Sequence, residues 1–85
     1  MIFFSIMTNL EKYNQIFTEV FSVEESQLGA DFDSQHVDGW DSVRQLSLTT
    51  AMEDAFDIML DAEDIIDFNS YEKGKAILVK YEVEF

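Results

Sequence analysis

Not one proline and only three glycines interrupt this chain of 85 residues. Hairpin turns draw on Gly and Pro for positive or preset φ angles, so a multi-stranded sheet has little here to turn with. Helix interiors need neither residue, and the scarcity favours a compact helical fold. An apolar content of 47%, with 14% aromatic side chains, is that of a folded globule rather than a disordered acidic tail. The length suits one domain with a small core and is too short for an enclosed catalytic cleft.

Eighteen acidic against five basic side chains give a formal net charge of −13. Such a field repels nucleic-acid phosphates and anionic lipid, so neither nucleic acid nor membrane is expected as a partner. It steers the chain instead toward proteins bearing Lys/Arg patches. The absence of cysteine excludes disulfides, thiolate metal sites and a thiol nucleophile, and is compatible with a reducing cytoplasm, the expected location. The apolar opening Met1-Ile2-Phe3-Phe4-Ser5-Ile6-Met7 lacks a basic flank and a long hydrophobic run, and so reads as neither signal peptide nor membrane span. Met7 restarts a polar sequence. Residues 1–6 are therefore expected to be a loosely ordered extension from an upstream start, followed by a single domain over 7–85.

Four helical segments can be read. The first opens at Thr8, whose spacing to Glu11 fits a capping box, and Leu10, Tyr13, Ile16, Phe17, Val20 and Phe21 then recur at helical spacing until about Ser22. Residues 23–40 follow without a regular pattern, with Leu28, Phe32 and Val37 as single anchors. About eighteen residues is long against the usual connection of roughly 4–6, which points to a function or to tight packing on the helices. The second helix begins at Asp41 or Ser42 and runs to about Phe56. Its inward stripe is Leu48, Met52, Ala55 and Phe56, flanked by Leu46 and Ala51. Asp41 as N-cap, or Ser42 capping with Gln45 three residues on, both fit its start. Asp61 can cap a short third helix over 62–67 that points Ile65 and Ile66 inward. Ser70 caps a fourth, buried along Tyr71, Ile77, Leu78 and Tyr81, with Gly74 marking a close helix approach. The expected architecture is an all-α four-helix bundle with a long loop between helices 1 and 2.

The chemistry-bearing candidate is Ser42, at the mouth of the second helix. There the first backbone N–H groups are unpaired and partly positive, and favour an anionic group. Other chemistries fail on the residues present. An EF-hand counted from Asp31 would need Gly and Glu where His36 and Ser42 stand, so no metal site is expected. His36 is the only histidine and the nucleophile-elbow pattern Gly-x-Ser-x-Gly is absent, so a serine hydrolase does not fit. No catalytic residue, and no enzyme, is expected.

The run Asp38-Gly39-Trp40-Asp41-Ser42-Val43, followed by Leu46, Leu48, Ala51, Met52, Glu53, Asp54 and Phe56, resembles the acyl and peptidyl carrier proteins. Members of that family carry Asp-Ser-Leu at the start of their second helix, an acidic pair late in it and a closing Phe. The likeness extends over residues 8 to 81. It implies an acyl-carrier-protein-like bundle in which Ser42, beside Asp41, receives a covalent 4′-phosphopantetheine arm from coenzyme A. The arm would carry acyl or aminoacyl groups as thioesters. The implied partners are a phosphopantetheinyl transferase, an acyl-loading ligase or acyltransferase, and acyl-processing enzymes with basic docking surfaces, all meeting a monomeric carrier. Val43, Glu53 and Asp54 fall where the family meets its partners. Leu46, Leu60, Ile65, Ile66 and Phe68 are candidates to line an acyl cleft between the second and third helices. Arg44 and Ser47 stand on the exposed second-helix face that carriers of fatty-acid synthesis keep acidic. Trp40 is expected to be a packing anchor for the loop. The alternative that shares fold and charge is an acidic helical adaptor that binds a basic protein and carries no arm.

Overall fold

Thr8 starts the first helix as its spacing predicts. Its hydroxyl accepts from Glu11 N–H at 3.1 Å while Glu11 Oε1 accepts from Thr8 N–H at 2.8 Å, so two otherwise unpaired donors are satisfied reciprocally. The computed structural model describes residues 7–85, and the expected extension at 1–6 lies outside them. Among the described residues there are four α-helices and no strand: α1 (Asn9–Phe21), α2 (Ser42–Phe56), α3 (Ala62–Asp67) and α4 (Tyr71–Lys80), with a single 3-10 turn at Glu25–Gln27. They form a small helical bundle. None of these helices is long and apolar enough to cross a membrane.

The core is aromatic and centred on α1. Around Phe17 stand the rings of Tyr13, Phe21, Phe32, Trp40, Phe68 and Tyr71, with centroids 5.0 to 6.4 Å from its own. Such pairs add about 0.5–1.5 kcal/mol each beyond the area they bury. Phe32 and Trp40 belong to the long connection between α1 and α2, and this explains how so long a segment holds one path. Its backbone is tied as well: Tyr71 N–H donates to Phe32 O at 2.8 Å and Ser34 N–H to Asn69 O at 2.9 Å. Gly74 leaves room on α4 for two side chains rather than for a neighbouring helix backbone: a Cβ there would run into Tyr13 Oη and lie 2.5 Å from the Phe68 ring.

Two expectations from periodicity and one from capping are corrected. Ala55 faces solvent, and the inward face of α2 is instead Leu48, Thr49 and Met52. Thr49 is tolerated inside because its hydroxyl shares the carbonyls of Gln45 and Leu46 at 3.1 and 3.2 Å. On α3 it is Asp64 that turns inward, while Ile66 is 70% exposed and Ile65 half-buried. Asp64 finds partners on α4 that apolar periodicity does not register. Asp61 occupies the N-cap position of α3 without a side-chain capping bond. Residues 82–85 fold back, burying Val83 and setting Phe85 5.3 Å from the Tyr13 ring.

Candidate functional site

Gly39, at φ +87, turns the chain into the start of α2, a conformation that costs glycine little and side chains more. Its carbonyl accepts from Arg44 Nη1 at 3.2 Å, and the next residue, Trp40, is buried against Phe21 with ring centroids 4.8 Å apart. The chain therefore arrives at Asp41 with its path fixed. Of the two possible caps, Asp41 is the one used: its Oδ1 accepts from Arg44 N–H at 2.8 Å. Ser42 is thereby the first helical residue, with its side chain exposed. The N–H groups of Ser42 and Val43 have no carbonyl one turn back to bond to, so partial positive charge remains beside the hydroxyl.

Ser42 opens onto a shallow surface groove of about 410 Å³ between α2 and α3, lined by Ser42, Gln45, Leu46, Ile65 and Ile66. The floor is apolar and exposed. Leu46 is 60% exposed and Ile66 70%, and both are large side chains left uncovered on adjoining elements. Val43, 72% exposed, stands next to the hydroxyl. Two residues expected at this surface are elsewhere: Phe68 is fully buried and Leu60 nearly so, both in the core. They follow the turns that end α3 and α2, where the chain dives inward.

The acidic pair late in α2 is split by its surroundings. Glu53 Oε2 accepts from Leu60 N–H at 2.9 Å and Glu53 O from Ile58 N–H at 3.1 Å, so Glu53 fastens the connector from α2 to α3. Asp54 is exposed.

Two residues that sequence reasoning did not place here hold the groove's walls. Gln45, read as a capping partner for Ser42, instead sends Nε2 across the seam to Ile65 O at 2.7 Å and Ile66 O at 3.0 Å. Its Oε1 accepts from Trp40 Nε1 at 3.4 Å. Asp64 accepts from Lys80 Nζ at 2.7 Å and from Tyr81 Oη at 2.6 Å. Lys80 and then Tyr81 hold the Asp64 carboxyl below the usual carboxylate range, against the opposing effect of its burial. The only advance signal for Gln45 was its position one turn past the cap. Nothing in the pattern around Asp64 distinguished it from Glu63.

Comparison with protein-family models, with curated proteins and with solved structures yields no match.

Proposed function

We propose that this chain is a non-catalytic carrier protein that holds acyl or aminoacyl groups as thioesters on a 4′-phosphopantetheine arm attached to Ser42. One observation supports the reading above the others: an exposed serine hydroxyl at the first position of α2 lies at the edge of an apolar groove. The order of α1, long connection, α2, short α3 and α4 is in keeping with an acyl-carrier-like bundle. The residues present also suit the group. The arm is joined through a phosphodiester with one permanent negative charge, and a helix N-terminus favours an anion by about 0.3–1 kcal/mol. When bound, the arm supplies the thiol that this cysteine-free chain lacks.

Asp41 holds the helix start that presents the hydroxyl. Leu46, Ile65 and Ile66 offer apolar surface to the arm or its cargo. Val43 and Asp54 are exposed for contact with a phosphopantetheinyl transferase, a loading ligase or acyltransferase, and acyl-processing enzymes with basic docking surfaces. The reading includes a cytoplasmic setting, in keeping with the lack of cysteine.

Incubation with coenzyme A and a broad-specificity phosphopantetheinyl transferase, followed by intact-mass measurement, tests this. The expected result is a gain of about 340 Da, the mass of one covalently added arm, absent in Ser42→Ala. A chain that gains nothing from any transferase overturns the carrier reading in favour of an acidic adaptor for a basic partner.

A further inference from the structure

The walls of the groove beside Ser42 are fastened on both sides of α3. Toward α2, Gln45 Nε2 donates to the carbonyls of Ile65 and Ile66. Its Oε1 receives the Trp40 indole N–H. Only one orientation of the amide serves all three, because carbonyls need a donor and an indole needs an acceptor. Toward α4, the Asp64 carboxylate takes Lys80 Nζ and Tyr81 Oη, and that same phenol oxygen accepts from Asp61 N–H at 2.9 Å. A helix of six residues is too short to persist by itself. It is held here by side chains reaching its backbone at both ends and its inward carboxylate in the middle. Beyond the seam, Leu48 and Phe68 are fully buried and Leu60 is 6% exposed. A long alkyl chain seeking shelter must lift α3, strip Gln45 from two carbonyls and displace these side chains.

We infer that Gln45 keeps the α2–α3 seam shut, so that the groove is a fixed apolar shelf for short acyl groups and long alkyl chains go unsheltered. This cargo class rests on the carrier reading. The shelf has apolar surface for a few methylenes against Leu46, Ile65 and Ile66, and its mouth is open to water along its length. Gln45 is a positioning residue: it acts by holding α3, not by touching the thioester.

The test loads the full chain with a butyryl-arm or a decanoyl-arm from the matching acyl-coenzyme A, with loading checked by mass. Hydroxylamine is then added, which attacks the thioester carbonyl, forms the hydroxamate and releases the arm's thiol. Equal access means cleavage rates within about twofold of each other, whereas a chain hidden nine-tenths of the time reacts about tenfold more slowly. We expect equal rates for the wild type. Gln45→Met keeps the side chain's length but removes its donors. In that variant decanoyl cleavage should slow several-fold relative to butyryl, and exchange of the Ile65 amide should quicken by about tenfold, the population change that one net hydrogen bond commands. A wild type that shields decanoyl beyond twofold overturns the inference. So does a folded Gln45→Met with the wild-type ratio and wild-type exchange, and should that variant not fold, the wild-type ratio alone decides. A chain that gains no arm overturns the carrier reading and the cargo class with it, an outcome the mass check separates from shielding.

Discussion

Around Phe17, rings from α1, the long connection and α4 close on one another, and Tyr13, Phe17 and Phe68 have no exposed surface. Around Ser42 the large apolar side chains are uncovered, and the walls are joined by an amide on one side of α3 and a carboxylate on the other. The first region is held by non-directional burial, which tolerates small shifts but not lost volume. The second is held by a few directional bonds that single substitutions can undo with little loss of core. The proposed carrier role would need that division: a frame that survives, and a face that partners can approach.

The largest expected effect breaks the aromatic side. Phe17→Ala removes a fully buried ring and should cost about 3–5 kcal/mol, against a total stability for such domains of about 5–15. Leu46→Ala on the groove should stay within about 0.5 kcal/mol. Urea titration of both variants decides; comparable losses would mean the groove is part of the core. Gly74→Ala comes next. Better helix propensity contributes about 1 kcal/mol in its favour, but the added methyl meets the Phe68 ring and Tyr13 Oη. Forcing apart a packed core costs about 1–3 kcal/mol, so a net loss in thermal midpoint is expected. A gain would show that α4 can shift away from α1.

On the groove side, acid should loosen α3. Asp64 is held below the ordinary carboxylate range by Lys80 and then Tyr81. A group depressed in the folded state stabilises fully above its unfolded value of about 3.9 and loses that contribution as pH falls through its lower folded value. Acid also relieves the repulsion behind a net charge of −13 and lowers other carboxylates' contributions, Asp33 with its His36 contact among them. The informative quantity is therefore the difference in thermal midpoint between wild type and Asp64→Asn. It should be constant from neutrality to about pH 5 and shrink below about pH 4. A difference that grows in acid would contradict the sign of the shift.

How much of this contrast could be read in advance follows the same division. The Thr8 box, the Ser70 cap and the buried Trp40 follow from spacing and side-chain chemistry alone, whereas at α2 spacing left Asp41 and Ser42 both open and at α3 the Asp61 side chain makes no capping bond. Gly74 pointed to crowding because glycine inside a helix needs a reason, but what crowds it are the Tyr13 and Phe68 side chains rather than another helix's backbone. Periodicity failed where polar side chains take core positions. Thr49 displaced Ala55 from the inward face because its hydroxyl can bond back to its own helix. Asp64 displaced Ile66 because its partners, sixteen and seventeen residues further along the chain, become neighbours only after α4 docks. Gln45 is the same case: its acceptors are backbone carbonyls twenty and twenty-one residues away, which no side-chain pattern encodes.

Glu53 and Asp54 sharpen the comparison at lower cost. Glu53→Lys removes the acceptor of Leu60 N–H and should cost about 0.5–1.5 kcal/mol. Asp54→Lys, on exposed surface, should leave stability within about 0.5 kcal/mol yet slow arm installation by a transferase with a basic face. Thermal midpoints and single-turnover loading rates separate the two roles. Equal slowing with equal stability would return both residues to the docking surface.

Ser42→Ala should disturb the fold least of all. Its side chain is exposed and takes part in no capping bond, because Asp41 holds that position. Stability should change by less than about 0.5 kcal/mol, whereas Asp41→Ala forfeits a cap worth about 1 kcal/mol. Denaturant titration ranks the two, and intact mass after treatment with the transferase shows whether the arm is lost only where the hydroxyl is. On the proposed reading, a serine outside the cap, standing where a helix offers its unpaired N–H groups, can take the arm without loss to the fold. If Ser42→Ala proves as costly as the loss of the cap, the hydroxyl belongs to the scaffold and the carrier reading loses the observation that supports it.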